Sequence, residues 1–336
     1  MKTLVCTEPG SFAYTDSPMP ARAAGQTLLR IRRIGICGTD LHAFEGTQPY
    51  FSYPRVLGHE LAAEIVETDN PEFRVGDTVT FIPYFNCGAC IACRSGKPNC
   101  CTKISVCGVH ADGGMAEYLL VPSESLVSGE GLGADELALV EPLAIGAHGV
   151  RRAGVQPGEW VLVVGAGPIG LGIMELARIA GGRVIAMDVN DQRLQFCNDT
   201  LHVEHSINPT RDNVMERLAA FTNGDFPTVV IDATGSLNAI NNAFQYMSHG
   251  GRYVLVGLQK QEITISHPEF HKREATLMSS RNATRADFEQ VIKAMVSGQL
   301  KASNYITHRV SFGEVKDAFP SWLNPATGVI KAMVSL

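Results

Sequence analysis

The 336-residue chain has no apolar run long enough to cross a bilayer, no internal repeat and no low-complexity tract. Its most apolar stretch, 160–174, is interrupted by glycines and followed by Glu175 and Arg178, short of the ~20 apolar residues that a spanning helix needs. The start, Met1-Lys2-Thr3-Leu4-Val5-Cys6, has one charge and then a β-like run, without the apolar core or small-residue cleavage site of a secretory leader. A cytoplasmic protein without a membrane partner is expected. Charged residues make up only 18% of the chain, and the net charge of −6 is spread over both signs. No basic stripe is left to engage nucleic acid, so the expected partner is a small-molecule substrate.

What is present points to a globular protein of two domains. Apolar residues reach 45%, and the chain exceeds what one hydrophobic core organises. Nine cysteines in a chain of this kind suggest metal or catalysis rather than a disulfide framework. Five of them fall between Cys87 and Cys101.

The first ~120 residues read as short strands separated by Gly, Pro and Asp, at 27–36, 61–68, 77–82 and 115–121, which predicts a mostly β domain. From about 134 the rhythm changes. A helix is expected at 137–150, a doubly buried strand at 160–164, a helix at 169–180 and a strand at 183–187. Further buried strands at 228–231, 252–256 and 275–279 complete a βα alternation, the pattern of a doubly wound parallel sheet. Helices at 286–296 and 313–322 and a strand at 328–334 follow. This tail either stands alone or rejoins the first domain; periodicity does not decide between them.

Val163-Val164-Gly165-Ala166-Gly167-Pro168-Ile169-Gly170 places G-x-G-x-x-G between a predicted strand and a predicted helix. Gly165 makes the tight turn, Gly167 lets the backbone approach a pyrophosphate, and Gly170 allows close helix–strand packing. The N–H groups at the helix start, around Pro168 and Ile169, face the anion. Asp188 ends the next strand at about the ~20-residue interval expected of the ribose-binding carboxylate, which favours NAD over NADP. Arg193 is the one nearby cation that could tolerate a 2′-phosphate.

Cys87, Cys90 and Cys93, with either Cys100 or Cys101, supply four thiolates in a Gly- and Pro-rich loop, the ligand set of a closed structural zinc site. A second, dispersed constellation comprises Cys37-Gly38-Thr39-Asp40-Leu41-His42, Gly58-His59-Glu60 and Glu141-Pro142-Leu143. One thiolate, one imidazole and one carboxylate would leave an open position on zinc for a substrate hydroxyl. Each of these side chains taken alone is as well read as a core residue, and Thr39 as a helix cap.

These motifs together, over essentially the whole length, resemble the zinc-containing medium-chain dehydrogenase/reductases. The resemblance implies an α/β fold: a doubly wound parallel Rossmann sheet, 144–282, inserted into a mostly β, GroES-like catalytic domain made of 1–143, with a structural zinc lobe at 86–107, and 283–336. It implies catalytic zinc on Cys37, His59 and Glu141, with Glu60 beside the metal and Asp40 orienting the histidine. It selects Cys101 over Cys100 in the lobe and puts Lys331 near the cofactor phosphates. Thr39 and His42 resemble a proton relay. Glu141, where alcohol dehydrogenases of this family commonly carry cysteine, is similar to the polyol and threonine dehydrogenase branch.

For the substrate, the segment 45–54, Phe85 and 112–115 are expected to border the cleft, and Arg281 resembles the substrate-side arginine of polyol dehydrogenases. H-x-F-E-G-x-x-P (42–49) and S-R-N-A (280–283) look most like bacterial dehydrogenases of hexonic acids such as L-galactonate and L-gulonate. Sorbitol, galactitol and L-threonine are the alternative substrates, and a non-catalytic NAD(H)-binding regulator the alternative of another class. Related enzymes pair subunits through an exposed strand, for which 252–257 is the expected candidate, giving a homodimer or homotetramer.

Overall fold

The computed structural model describes residues 1–48, 51–129 and 131–336. Pro49 and Tyr50, which belong to the expected cleft segment 45–54 and the motif at 42–49, lie outside the described residues. The chain forms two compact units, Met1–Ala144 with Ala283–Leu336, and Ile145–Asn282.

The first unit is organised by the ten-residue strand Gln26–Gly35, which pairs antiparallel with Glu60–Glu67, Tyr118–Pro122 and Lys331–Ser335. The sheet runs Leu126–Ser128, Thr78–Phe81, Glu60–Glu67, Gln26–Gly35, Lys331–Ser335, Ile306–Ser311, with Tyr118–Pro122 joined to the central strand. Leu29, Ile31 and Ile34 of that strand pack with Leu4, Ile65 and Phe81 in one buried core. Each such side chain contributes about 1.5–3 kcal/mol of burial free energy.

Several boundaries differ from the sequence expectation for identifiable reasons. The strand expected from 115 begins at Tyr118, because Leu4 N donates to the Met115 carbonyl (2.8 Å) and Ala116 bridges Thr3. Those residues thus serve a second sheet, ordered Ser11–Asp16, Lys2–Glu8, Arg55–Val56. The last strand starts at Lys331 rather than 328, since Gly328 lies in the left-handed region (φ 68°) to close the turn Pro325–Thr327. The helix expected at 313–322 is a 3-10 turn, Phe312–Glu314, followed by the α-helix Val315–Trp322.

The second unit is a six-stranded parallel sheet ordered His205–Ile207, Arg183–Met187, Trp160–Val164, Val229–Asp232, Arg252–Leu255, Thr276–Ser279. Read by chain order this is 3-2-1-4-5-6, the doubly wound arrangement whose ligand crevice lies at the carboxyl end of the first strand. The expected subunit-pairing strand is corrected. Arg252–Leu255 has a parallel neighbour on each side, and the edges are His205–Ile207 and Thr276–Ser279. A doubly buried apolar run shows that a strand is covered above and below, but says nothing of its neighbours within the sheet.

Candidate metal centres and cofactor site

Cys37 ends the strand-to-helix connection at the start of helix Gly38–Glu45. Its backbone N–H donates to Asp40 Oδ2 (2.9 Å), while Asp40 Oδ1 accepts from Gly58 N (3.1 Å). One buried carboxylate therefore ties the backbone at Cys37 to the backbone beside His59. Asp40 Oδ1 stands 3.8 Å from His59 Nδ1, beyond hydrogen-bond length, and that buried Nδ1 has no hydrogen-bond partner. Asp40 thus faces His59 as an ion-pair neighbour without a hydrogen bond and also supports the flanking backbone.

Ligand atoms of Cys37, His59 and Glu60 lie within 4.8 Å of one another. Glu141, buried on helix Ala134–Ala153, stands outside that grouping and accepts a hydrogen bond from the buried Tyr84 hydroxyl. Glu60 is fully buried, and Lys331 Nζ is 2.6 Å from each of its carboxylate oxygens and 3.0 Å from the Ile36 carbonyl. A Cβ on Gly35 would fall 2.3 Å from Glu60 Oε2, so the carboxylate occupies room that only glycine leaves. Lys331, expected beside cofactor phosphates, directs its ammonium to Glu60 and a backbone carbonyl inside this unit.

The electrostatics of this cluster ask for a cation. Burial pushes the Glu141 carboxyl up to about 7, with His59 opposing the rise and the Glu60 charge adding to it. Burial disfavours the His59 imidazolium, yet Cys37 and Asp40 outweigh it and raise the His59 pKa well above the ordinary histidine value. Burial likewise raises Asp40. A thiol, an imidazole and two carboxyls, with one lysine among them, form a soft and hard donor set that suits zinc, whose charge would balance the buried acids.

Thr39 and His42 lie three residues apart on helix Gly38–Glu45. Thr39 is half-buried and His42 exposed, with His42 Nδ1 3.2 Å from Thr47 Oγ1 and 3.4 Å from Glu45. Asp112, expected at the cleft, accepts from Arg55 and from Val56 N, both at 3.1 Å.

The second cluster is local. The sulfurs of Cys87, Cys90, Cys93 and Cys101 lie within 4.8 Å of one another, whereas Cys100 is exposed and outside the group. Cys90 and Cys93 sulfurs are 3.4 Å apart and Cys87 and Cys101 sulfurs 3.5 Å, far beyond a disulfide bond. Backbone N–H groups, first that of Cys93, draw the Cys90 thiol down to about 5. Backbone N–H groups of Cys87 and Lys103 each donate to Cys101 Sγ at 3.3 Å, which favours the thiolate form. The lobe is closed by a two-residue ribbon in which Tyr84–Phe85 pairs with Ser105–Val106.

In the second unit, Gly165 sits at φ 102° where the strand Trp160–Val164 turns, and a Cβ there would lie 2.8 Å from Thr234. A Cβ on Gly170 would strike the Gly165 carbonyl at 1.9 Å. The open space at Gly167, which caps helix Pro168–Ile179, leaves its N-terminus and the backbone of Pro168 and Ile169 accessible to an anion. Asp188 accepts from Ala166 N (2.7 Å) and Asn190 N (2.8 Å), which holds the carboxylate beside the glycine turn. Arg193, on helix Asp191–Asp199, is exposed, as is Arg281 just after the strand Thr276–Ser279.

Sequence reasoning missed Tyr84, Gly35 and the Lys331–Glu60 pair. Tyr84 reads as an ordinary core aromatic before the cysteine lobe, and its contact with Glu141 spans 57 residues of chain.

Comparison with known proteins agrees with this architecture. A model of the alcohol dehydrogenase GroES-like domain matches residues 23–130, and one of the zinc-binding dehydrogenase domain matches 168–297. The L-galactonate-5-dehydrogenase of Escherichia coli K12 is 44% identical over 95% of this chain and 94% of its own length. The sorbitol dehydrogenase of Halalkalibacterium halodurans is 32% identical over 95% of each. The crystal structure of an alcohol dehydrogenase (rspB) from E. coli CFT073 with NADH superposes with a TM-score of 0.93 at 30% identity, covering 100% of this chain and 99% of that one. The chain belongs to the zinc-binding alcohol dehydrogenase family. Within it, the relatives place the chain in the polyol and sugar-acid branch, as a zinc-dependent, NAD(P)-linked dehydrogenase. Among the described residues no helix is long and apolar enough to cross a membrane.

Proposed function

We propose that this chain oxidises a secondary hydroxyl of a hexonic acid, L-galactonate or L-gulonate being the leading candidates, to the keto acid with NAD. The observation that carries the reading is the Cys37–His59–Glu60 grouping, with Glu141 buried on helix Ala134–Ala153, in a chain 44% identical to a dehydrogenase of L-galactonate. Cys37, His59 and Glu141 would hold the catalytic zinc, with Glu60 in reserve on Lys331, and Cys87, Cys90, Cys93 and Cys101 the structural zinc. Zinc, when bound, supplies Lewis-acid polarisation of the substrate hydroxyl.

The chain's own residues supply the rest. Gly165, Gly167, Pro168, Ile169 and Gly170 offer backbone to the cofactor pyrophosphate, and Asp188 accepts from ribose hydroxyls and repels a 2′-phosphate. Thr39 Oγ1 would take the substrate proton as it gives up its own hydroxyl proton, which the exposed His42 imidazole would hand on to solvent. Arg281 reads the substrate carboxylate, a task suited to a bidentate guanidinium. We further propose that the enzyme works as a cytoplasmic homo-oligomer.

The test is reduced-cofactor formation across hexonic acids, neutral polyols and L-threonine, each with NAD and NADP. L-Galactonate or L-gulonate with NAD should give the highest kcat/KM. A neutral polyol preferred by about tenfold or more, which is 1.4 kcal/mol of transition-state discrimination, would move the assignment to polyol oxidation. No turnover of any alcohol at full zinc occupancy would favour an NAD(H)-binding regulator. Asp188→Gly should raise the NADP share of activity; an unchanged ratio removes that residue from cofactor choice.

A further inference from the structure

Tyr84 enters the buried metal cluster from the cysteine lobe. It belongs to the ribbon Tyr84–Phe85, whose pairing with Ser105–Val106 is extended by Cys107 N donating to the Pro83 carbonyl (2.9 Å). Phe85 stacks on Phe81 with ring centroids 6.4 Å apart. The backbone of Tyr84 is therefore held on both sides, and its side chain is 5% exposed. A buried phenol needs a hydrogen-bond partner. The one it has is Glu141 Oε1.

A carboxylate has two oxygens, and a metal that takes one leaves the other to be satisfied. In a buried site, an unsatisfied oxygen costs about 1–3 kcal/mol, more when charged. Glu60, the competing carboxylate, is already served by Lys331 and lies within the tight grouping with Cys37 and His59. Among the described residues, the hydrogen bond Glu141 accepts comes from the Tyr84 hydroxyl, and Glu141 stands outside that grouping.

Building on the zinc reading above, we propose that Tyr84 is the positioning residue for the Glu141 ligand: its hydroxyl pins one carboxylate oxygen and presents the other to the metal. Glu60, for its part, is held by Lys331. The lobe acts here as the mount for the phenol, which gives the ribbon a role toward the other metal centre.

The experiment measures zinc affinity at each site by chelator competition in the full-length holoenzyme, wild type against Tyr84→Phe. Phenylalanine keeps the ring and its packing and removes only the hydroxyl. Loss of a group that orients a metal ligand costs about 10–100-fold in affinity, so the weaker-held zinc should loosen by that factor while the lobe zinc is unchanged. The same substitution made in a Glu141→Ala background should cause no further loss. Wild-type affinity in Tyr84→Phe, within twofold, would overturn the proposal. So would an equal loss with and without Glu141, because that result marks a packing effect. If Cys37→Ser retained both zincs at wild-type affinity, the metal reading itself would fall and the inference with it, an outcome that does not depend on Tyr84. A thermal melt on each variant confirms that the comparison is made between folded proteins.

Discussion

The two cysteine-containing clusters of the first unit solve different problems with overlapping residue types. The lobe draws four thiols from fifteen residues of chain, part of them exposed, and surrounds the candidate metal with sulfur alone. The other cluster draws Cys37, His59, Glu60, Glu141 and Lys331 from separate elements up to the end of the chain, and buries its acids and its lysine. A closed all-thiolate cage has no position for a substrate, and its task is to hold a loop too poor in apolar residues to pack. A mixed, buried set with a spare carboxylate can keep a coordination position open, at the cost of charges that the fold must neutralise one by one. Chemistry belongs to the second, and local stability, with the mounting of Tyr84, to the first.

Cys37→Ser separates the two most sharply. It should lower kcat/KM by about a thousandfold, the several kcal/mol of Lewis-acid stabilisation lost with the zinc. The lobe zinc and cofactor binding, read by metal analysis and fluorescence quenching, should remain. Residual activity near wild type without the second zinc would end the distinction. Lys331→Met comes next. Breaking one partner of a buried pair leaves Glu60 uncompensated, a loss of about 3–5 kcal/mol in folding stability by denaturant titration. A stability change below ~1 kcal/mol would show that water or another group reaches Glu60.

The dependence on pH has a definite sign. Glu141 is raised from its ordinary 4.5 to about 7, so between those values the metal-free folded chain holds a proton that the unfolded chain has released. The contribution of this group to metal-free stability is therefore present below about 4.5 and lost as pH rises toward 7. Zinc must expel that proton, and the one held on His59. Affinity at the buried site should climb at least ~tenfold per pH unit up to about 7 and less steeply above, where the His59 proton still has to be expelled. A flat profile in chelator competition from pH 5 to 7 would refute the assignment of these groups to the metal. The smallest effect on turnover is expected from Cys93→Ser. Disrupting the lobe should lower Tm by roughly 2–4 °C per kcal/mol lost and leave kcat within about tenfold. A collapse of kcat comparable with that of Cys37→Ser would erase the division of labour.

How much of this was legible beforehand follows from what each signal encodes. The doubly wound class could be read because alternating apolar runs and helices carry it, with Gly165, Gly167 and Gly170 marking the first crossover. Strand order could not, because Val229–Asp232 and Arg252–Leu255 are equally apolar and periodicity carries no neighbour list. The spacing of Cys87, Cys90 and Cys93 marks a metal lobe locally, whereas the dispersed set was found only as short motifs that the fold then brings near one another. Gly35 and Tyr84 left no trace. Their meaning is a clearance of one methyl group and a single hydrogen bond, quantities that exist only once distant segments meet.

The strand Lys331–Ser335 lies between Gln26–Gly35 and Ile306–Ser311 and delivers Lys331 to Glu60. During synthesis, the six strands of Ile145–Asn282 are complete before this strand leaves the ribosome, so that unit has what it needs to fold first. The first unit must wait, with Arg33–Gly35 unpaired on one side and Glu60 without its cation, until Lys331–Ser335 arrives. Loss of the strand Lys331–Ser335 at translation would thus leave an assembled nucleotide-binding half joined to an unfinished sheet with a bare edge, the kind of species that aggregates or is degraded.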